Sequence, residues 1–243
     1  MRYFPKIQFL HEETKQISVI PSNQELWPAS WKKTDFKEYK RFPKIFLPSN
    51  FNIPNNTFSK VLSTRHSSQD FNLENKLSLN NISTLLKFSS GLKDNSERKF
   101  RFYPSAGARY PIEIYLAARD VEGLESGVYH HNVKEHALEK ILEEDGEDQL
   151  KNQIREEWAK EAQLTIIISS IFERSMLKYR ERGYRLALLE AGMVIQNFYL
   201  ISSALDLGCC ALGNVLDDKL DEILDLDPLE ETTIGILVIG NEK

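Results

Sequence analysis

Apolar residues become regularly spaced only after the first third of the chain. The stretch 77–92 carries leucine and isoleucine at helical spacing, which predicts a helix that begins at Asn80 or Asn81 and ends at Gly91. The stretch 147–162 is acidic and amphipathic, which predicts a second helix. The regular part of the chain thus holds two helices before its most apolar stretch.

Strand patterns lie between and after these helices. The stretch 111–121 alternates apolar and polar side chains, and 127–141 predicts a hairpin that turns near Asn132. A β-branched run at 164–172 predicts a buried strand, and 232–240 predicts a final strand. The apolar face of the first strand is predicted to carry Ile112, Ile114, Leu116 and Ala118.

The most apolar stretch predicts a long helix over 184–207 that stops at Gly208. Its length raises the question of a membrane span. Because Glu190, Gln196 and Asn197 interrupt it, we predict a buried central helix instead.

A short helix is predicted for 217–226, with Asp217 or Asp218 as its cap, after a short strand or loop at 209–215. Helices and strands are mixed along the chain without the strict alternation of a βαβ protein. The fold class predicted from the sequence is therefore α+β.

Residues 1–60 differ from the rest, since they hold most of the prolines and two of the three tryptophans. They predict an irregular arm with one short helix, ahead of a domain at 61–243. The arm has ten Lys and Arg against five Asp and Glu, whereas the whole chain has a net charge of −5. This excess suggests a docking segment, and the overall charge does not indicate nucleic-acid binding.

The composition indicates the broad class of protein and its cellular compartment. The chain of 243 residues is 41% apolar and 28% charged, which is typical of a soluble globular protein. Its two cysteines, Cys209 and Cys210, are adjacent, so they face opposite ways on a strand and cannot readily form a disulfide. This cysteine usage, and a first segment without the apolar core of a signal peptide, predict a cytoplasmic protein.

Three short stretches could carry chemistry. Arg65, His66, Ser67 and Gln69 offer several donors within one turn, which suits a phosphate but also fits a solvated loop. Small residues keep the backbone open at Pro104–Gly107 and again at 211–215, where a flat ligand could approach main-chain N–H groups. We expect no metal site, because the spacing of His130, His131 and His136 favours a structural or exposed role.

A family resemblance rests on four blocks of sequence, at 104–116, 127–131, 178–192 and 196–200. Together they resemble the SagB-type dehydrogenases of the nitroreductase-like flavoprotein superfamily, and the microcin B-type azoline dehydrogenases in particular. The resemblance covers roughly residue 61 to the C-terminus. It implies an α+β sandwich that forms an intertwined homodimer with FMN in the dimer interface.

The resemblance also implies roles for individual residues. Arg65, His66 and Ser67 would hold the FMN phosphate and ribityl chain, with Gln69 where the family often has Lys or Arg. The loop of Pro104, Ser105, Ala106 and Gly107 would lie against the flavin of the other subunit. The segment of Ala211, Leu212 and Gly213 would lie behind the flavin ring. Met193 replaces a histidine found in many SagB-type sequences, although microcin-type members also lack it.

Catalysis in this family is assigned to a Lys-Tyr pair, which matches Lys178 and Tyr179. The implied reaction oxidises thiazoline or oxazoline rings of a ribosomal peptide and needs a base, because the ring carbon is a weak acid. We expect the two side chains, if adjacent and partly buried, to lower each other's pKa. Either residue could take the proton. Implied partners are an azoline-containing precursor peptide and a cyclodehydratase (heterocyclase) complex, without nucleic acid or membrane.

Two other functions fit the same sequence. A general NAD(P)H-dependent nitro- or ene-reductase would share the FMN site without needing the Lys-Tyr pair. A structural, flavin-bearing subunit of a heterocyclase complex would use the basic aromatic arm for docking.

Overall fold

A seven-stranded antiparallel sheet organises the part of the chain that the structure describes. The structure is a computed structural model that describes residues 5–15, 20, 23, 25, 27–32, 35–52, 54–72, 74–94 and 99–243. The strand order is β1-β6-β5-β3-β7-β9-β8. The strands are β1 (Lys44–Phe46), β3 (Ile112–Ala118), β5 (Gly127–Asn132), β6 (Ala137–Leu142), β7 (Leu164–Ser170), β8 (Gly208–Leu212) and β9 (Thr232–Gly240), with β2 (Leu77–Ser78) and β4 (Val121–Glu122) forming a separate parallel pair.

Helices cover both faces of this sheet, which confirms the α+β class. The longer ones, α4 (Leu79–Ser90) and α7 (Arg182–Ala204), pack on one face. The shorter α5 (Glu144–Lys151) and α8 (Asp217–Ile223) contribute to the core on the other face. The remaining helices are α1 (Pro5–Glu13), α2 (Ala29–Lys32), α3 (Phe58–Thr64) and α6 (Glu173–Tyr179), with short 3-10 turns at Ala106–Ala108 and Glu157–Glu161.

The central strands are buried on both faces, and the predicted alternation is confirmed. One face of β3 carries the predicted apolar set and joins the core beneath α4 and α7. The opposite face, with Tyr115 and Ala117, joins the other core. Cys209 and Cys210 of β8 divide between the same two cores and are both free thiols, as adjacent strand residues should.

Helix starts differ from the prediction. Ser78, rather than Asn80 or Asn81, caps α4, and Asn81 completes a capping box by accepting from the Ser78 N–H. No side chain caps α8, which begins after Leu216. Its aspartates instead occupy the first turn, where negative charge complements the positive end of the helix dipole.

One predicted helix span was wrong, and the long helix differs from its predicted span at the ends. The acidic stretch 147–162 is not one helix, because α5 ends at Lys151 and only a 3-10 turn follows. Its apolar residues all reach one core although only Leu150 lies in α5, so tertiary burial outweighs the helical pattern. The long helix ends at Ala204, since Asp206 takes a left-handed φ of 55° that turns the chain into β8.

The predicted arm lies partly outside the described residues. Its described part contains α1, α2 and the first residues of α3 rather than one helix, and β1 extends the main sheet by pairing with β6. Lys37 donates to Glu231 at 2.6 Å, which attaches the segment before β1 to the sheet. The division of the chain at residue 60 stays a prediction.

Among the described residues, α7 is the one helix long and apolar enough to cross a membrane by length and composition. It packs against α4 and β8, as predicted for a central helix. No group of three His, Cys, Asp or Glu within the described ranges could hold a metal ion. His130 is instead buried between Glu113 and Glu139.

Candidate functional site

Lys178 and Tyr179 end helix α6. Arg180 then takes a φ of 50°, which breaks the helix before α7 begins. The two helices approach closely at Gly183, where a Cβ would lie 2.7 Å from the Met176 backbone nitrogen. The glycine and the break together turn the pair inward, so that Lys178 is only 4% exposed and Tyr179 is half-buried.

The loop Pro104–Gly107 lies directly against this pair. A Cβ added to Gly107 would lie 2.8 Å from Lys178 Nζ and 2.8 Å from Tyr179 Oη. Gly107 has a φ of 63°, and Ala108 and Tyr110 also have positive φ angles, so the loop holds backbone strain of the kind found at functional sites. We call Lys178, Tyr179 and this loop the Lys-Tyr group.

Two buried arginines fix the loop to α6. Arg109 Nε donates to the Arg174 carbonyl at 2.7 Å, and Arg174 donates back to the Tyr110 carbonyl at 3.0 Å. Arg174 also pairs with the buried carboxylate of Glu113. The Ser105 hydroxyl accepts the Tyr110 N–H at 2.8 Å and closes the loop. The position of the Lys-Tyr group is therefore set within one chain.

The electrostatics of the pair differ from the expectation. Burial, with the charge of Arg109, lowers the pKa of Lys178 below its usual value. Burial raises the pKa of Tyr179, which outweighs the opposite effect of Arg109, so the expected lowering is wrong for the tyrosine. Lys178 Nζ also lies 3.2 Å from the centre of the Trp27 ring, a contact that favours the ammonium form.

A cavity of about 870 Å³ opens beside the Lys-Tyr group. Its lining includes Pro104, Ser105 and Gly107 of the loop together with Trp27 and Trp31. Lys32, Lys93 and Arg101 add positive charge to its wall. The cavity is large enough for a small heterocycle with flanking chain.

A second set of predicted residues meets around Tyr199, near the end of α7. Its hydroxyl accepts the Ala211 N–H at 2.7 Å and lies 3.1 Å from Ser67 Oγ. The Arg65 guanidinium lies 5.4 Å from the centre of the Tyr199 ring. We call Arg65–Gln69, Tyr199 and Ala211–Gly213 the Arg65 group.

Most side chains of the Arg65 group are open to solvent. Ser67 and Gln69 are exposed, and Arg65 is half-buried. His66 bonds to the Thr64 carbonyl and to Glu242 at 2.8 Å, and both contacts raise its pKa. A Cβ added to Gly213 would meet nothing within 4 Å.

This arrangement fits FMN. Arg65 and Ser67 supply a cation and a hydroxyl donor, which suit a phosphate. The space at Gly213 and the exposed Ala211 leave room for a flat ring beside the β8 backbone. His66 is engaged with Glu242, so its predicted contact to the phosphate would require that pair to open.

The predicted residues thus form two groups. Ser67 and Ala211 meet through Tyr199, whereas Ser105–Gly107 meets the Lys-Tyr pair. Sequence reasoning missed Tyr199 as a link, although it lies in a block that carried the resemblance. It also missed the buried Glu190, noted only as an interruption of an apolar run.

Comparison with known proteins gives a consistent assignment. The model of the nitroreductase family matches residues 62–241. MJ1384 of Methanocaldococcus jannaschii, whose name assigns it to the nitroreductases, is 36% identical over 183 residues, which cover 75% of this chain and 89% of that protein.

Two relatives process peptides by name. The trifolitoxin-processing protein TfxB of Rhizobium leguminosarum is 31% identical over 215 residues, covering 83% of this chain and 57% of TfxB. The microcin B17-processing protein McbC of Escherichia coli is 31% identical over 173 residues, covering 68% of this chain and 62% of McbC. The chain therefore spans about three fifths of each of these two relatives, and the resemblance to microcin B-type proteins is confirmed.

Solved structures share the fold. A nitroreductase-type structure from Anabaena variabilis gives a TM-score of 0.77 at 23% identity and covers 98% of this chain, which spans 47% of that one. The E. coli microcin synthetase McbBCD complex with truncated pro-MccB17 gives 0.66 at 24% identity, covering 99% of this chain and 93% of that one. A nitroreductase-type structure from Desulfovibrio desulfuricans in complex with FMN gives 0.53 at 16% identity, covering 77% and 87%. The matched region, the relatives and the shared fold together show that this chain belongs to the nitroreductase family.

Proposed function

We propose that this protein is an FMN-dependent dehydrogenase that oxidises thiazoline or oxazoline rings in a ribosomally made peptide. The observation that carries the proposal is the Lys-Tyr pair, in which a buried lysine and a half-buried tyrosine are held against a strained loop that lines a cavity. The similarity to two peptide-processing proteins supports it.

The residues of the Lys-Tyr group would act on the substrate ring. Lys178, with its lowered pKa, is the better base, and it would take the proton from a ring carbon. Tyr179 would stay protonated and could donate a hydrogen bond to the ring nitrogen. Bound FMN would supply the hydride acceptor that this two-electron oxidation needs. Arg65 and Ser67 would hold the FMN phosphate.

Substitution of the pair tests this function. Lys178→Ala and Tyr179→Phe should each keep flavin bound and slow azole formation by roughly 10²–10⁴-fold, the usual scale for a positioned acid or base. Mass spectrometry of an azoline-bearing peptide would follow the loss of two hydrogens per ring. Lys219→Ala and Tyr184→Phe serve as matched controls, since Lys219 is exposed and Tyr184 stacks on Phe172 through a ring that phenylalanine keeps. Full activity in both pair variants would sink the proposal.

The predicted homodimer would bring the two groups together. Helix α7 exposes Leu188, Leu189 and Met193 by 40%, 58% and 43%, an apolar surface that a second copy could cover. We propose that the Lys-Tyr group of one subunit faces the flavin held by the Arg65 group of its partner.

Mixing two impaired variants, at a flavin concentration that loads the parent protein but leaves Arg65→Ala empty, tests that arrangement. Mixed dimers of Arg65→Ala and Lys178→Ala chains would contain one intact site, so after subunit exchange about a quarter of the parent activity should return. Each variant alone, taken through the same exchange, is the control. If each site lay within a single chain, mixing would restore nothing.

A general nitro- or ene-reductase is the second candidate, favoured by the identity to a nitroreductase-type relative. NAD(P)H consumption with a small nitroaromatic, undiminished in Lys178→Ala, would support it over the first.

We also propose that a cyclodehydratase complex delivers the peptide. Co-purification of the parent chain with such a complex would test this partner.

A further inference from the structure

The cavity beside the Lys-Tyr group carries charge of one sign. Its basic residues are Lys32, Lys93, Lys99 and Arg101, and no Asp or Glu of the described ranges belongs to its lining. The whole chain has a net charge of −5, so a purely basic wall runs against the overall composition. A concave surface with charge of one sign attracts ligands of the opposite sign. The cavity therefore favours an anionic ligand.

The ammonium groups of the three lysines are free to meet such a ligand. All three are exposed, and none forms an ion pair with a carboxylate of the described residues. Lys93 Nζ lies 5.9 Å from the centre of the Phe102 ring, and Lys99 Nζ lies 5.3 Å from that of Phe36. These aromatic contacts orient the ammonium groups without neutralising their charge.

Two acidic residues that lie beside these lysines in the sequence are engaged elsewhere. Asp94 pairs with Lys87 at 2.6 Å. Asp35 lies close enough to Arg109 to interact with it electrostatically. Arg101 adds positive charge behind the wall, because it is 2% exposed and uses Nη1 to bond uncharged oxygen atoms. The positive charge of the cavity is thus available to a ligand.

The cavity also adjoins the proposed chemistry. Gly107 belongs both to its lining and to the Lys-Tyr group, and the ring centre of Trp27, which also lines it, lies 3.2 Å from Lys178 Nζ. The rings of Trp27 and Trp31 are 6.3 Å apart and partly exposed, so they offer apolar surface. A volume of about 870 Å³ is on the order of 10 Å across, which spans roughly three residues of extended peptide.

We propose that this cavity binds the peptide segment that flanks the ring, and that Lys32, Lys93 and Lys99 select acidic residues in that segment. Carboxylate side chains would meet the lysines while the rest of the segment packs on the tryptophans. That the anion belongs to a peptide rests on the proposed function, whereas the basic cavity itself does not.

Binding of peptides that already carry a thiazole tests this selection without any oxidation. Two labelled peptides would differ only at the two positions on each side of the ring, which hold Glu in one and Gln in the other. Fluorescence anisotropy with the FMN-supplied parent protein at low salt should show roughly three- to tenfold tighter binding of the Glu peptide, the scale for a few exposed ion pairs. The preference should vanish at about 1 M salt, because screening then acts over about 3 Å.

Substitution of the lysines locates the preference. The triple variant Lys32→Gln, Lys93→Gln and Lys99→Gln should bind both peptides with the affinity that the parent has for the Gln peptide. The matched control carries Lys15→Gln, Lys160→Gln and Lys219→Gln, which make the same charge change at surface ion pairs outside the cavity. This control should keep the preference of the parent.

Three results would overturn the inference. The parent might bind both peptides equally, or the cavity variant and its control might lose the preference to the same extent. Loss of NADPH affinity in the cavity variant, with peptide preference intact, would assign the lysines to the dinucleotide of the reductase candidate.

Failure of the proposed function would look different. A thiazoline form of the Glu peptide that binds with the expected preference but is never oxidised would reject the dehydrogenase and keep the acidic-peptide site. Oxidation of the Glu and Gln thiazoline peptides with equal KM would keep the dehydrogenase and reject the site.

Discussion

The Lys-Tyr group and the Arg65 group differ in how their side chains are held. In the first, buried arginines, a left-handed glycine and a close helix pair fix two polar tips against one loop. In the second, one tyrosine hydroxyl joins two segments whose donors remain exposed. A group that performs chemistry benefits from preorganisation, whereas a binding group can be completed by its ligand.

Substitution of Arg174, which helps to hold the loop, should have the largest effect of the changes compared between the two groups. Arg174→Met should destabilise the fold by about 3–5 kcal/mol, because it leaves the Glu113 carboxylate buried without its main cation. Burial alone would favour the neutral acid, but Arg174 and His130 hold the pKa of Glu113 well below its usual range. Urea unfolding would measure the loss. Lys219→Met, which breaks an exposed pair, should cost under about 1 kcal/mol.

Matched glycine substitutions compare the two groups directly. Gly107→Ala places a methyl group against Lys178 Nζ and Tyr179 Oη at a left-handed φ, and it should cost roughly 10²-fold in activity through misplacement. Gly213→Ala meets open space, so it should leave the fold intact and act only on flavin binding. Turnover and flavin titration would be measured for both variants. Similar losses of turnover at saturating flavin would erase the distinction between the groups.

These glycines also show what the sequence could foretell. Gly107 and Gly213 were both expected near a flat ligand, but their different surroundings depend on contacts with chain far away. Lys178 lies more than 70 residues along the chain from the loop it touches. No local sequence pattern could therefore predict this contact.

Local patterns succeeded where one periodicity governed burial. Alternation placed Ile112 and Ile114 on the correct face of β3, and the final strand has its predicted bounds. The stretch 147–162 failed because Leu150, Ile154 and Ala159 reach the same core without a continuous helix. Glu190 was visible as an acid in an apolar run, but its polar neighbours come from chain some 85 residues earlier.

In the Arg65 group, loss of the cationic side chain of Arg65 should have the largest effect on FMN binding. Arg65→Ala should weaken FMN binding by roughly 10–10²-fold, the scale for a charge-assisted hydrogen bond, with little change in stability. Gln69→Ala should have a smaller effect because it removes no charge. Fluorescence titration of the apoprotein with FMN would give both affinities. Equal affinity in Arg65→Ala and the parent would remove Arg65 from the site.

The smallest effect is expected for Tyr199, whose hydroxyl connects two segments of the Arg65 group. Tyr199→Phe removes the hydroxyl that accepts the Ala211 N–H and meets Ser67, while keeping the ring beneath Arg65. The cost should be about 0.5–1.5 kcal/mol in unfolding free energy, because water can replace the lost bond at the exposed Ala211. FMN affinity should fall only a few-fold if the ligand itself orders the two segments. A loss of FMN affinity as large as that of Arg65→Ala would mean that the Arg65 group is as preorganised as the Lys-Tyr group. The ligand would then not be what orders the two segments.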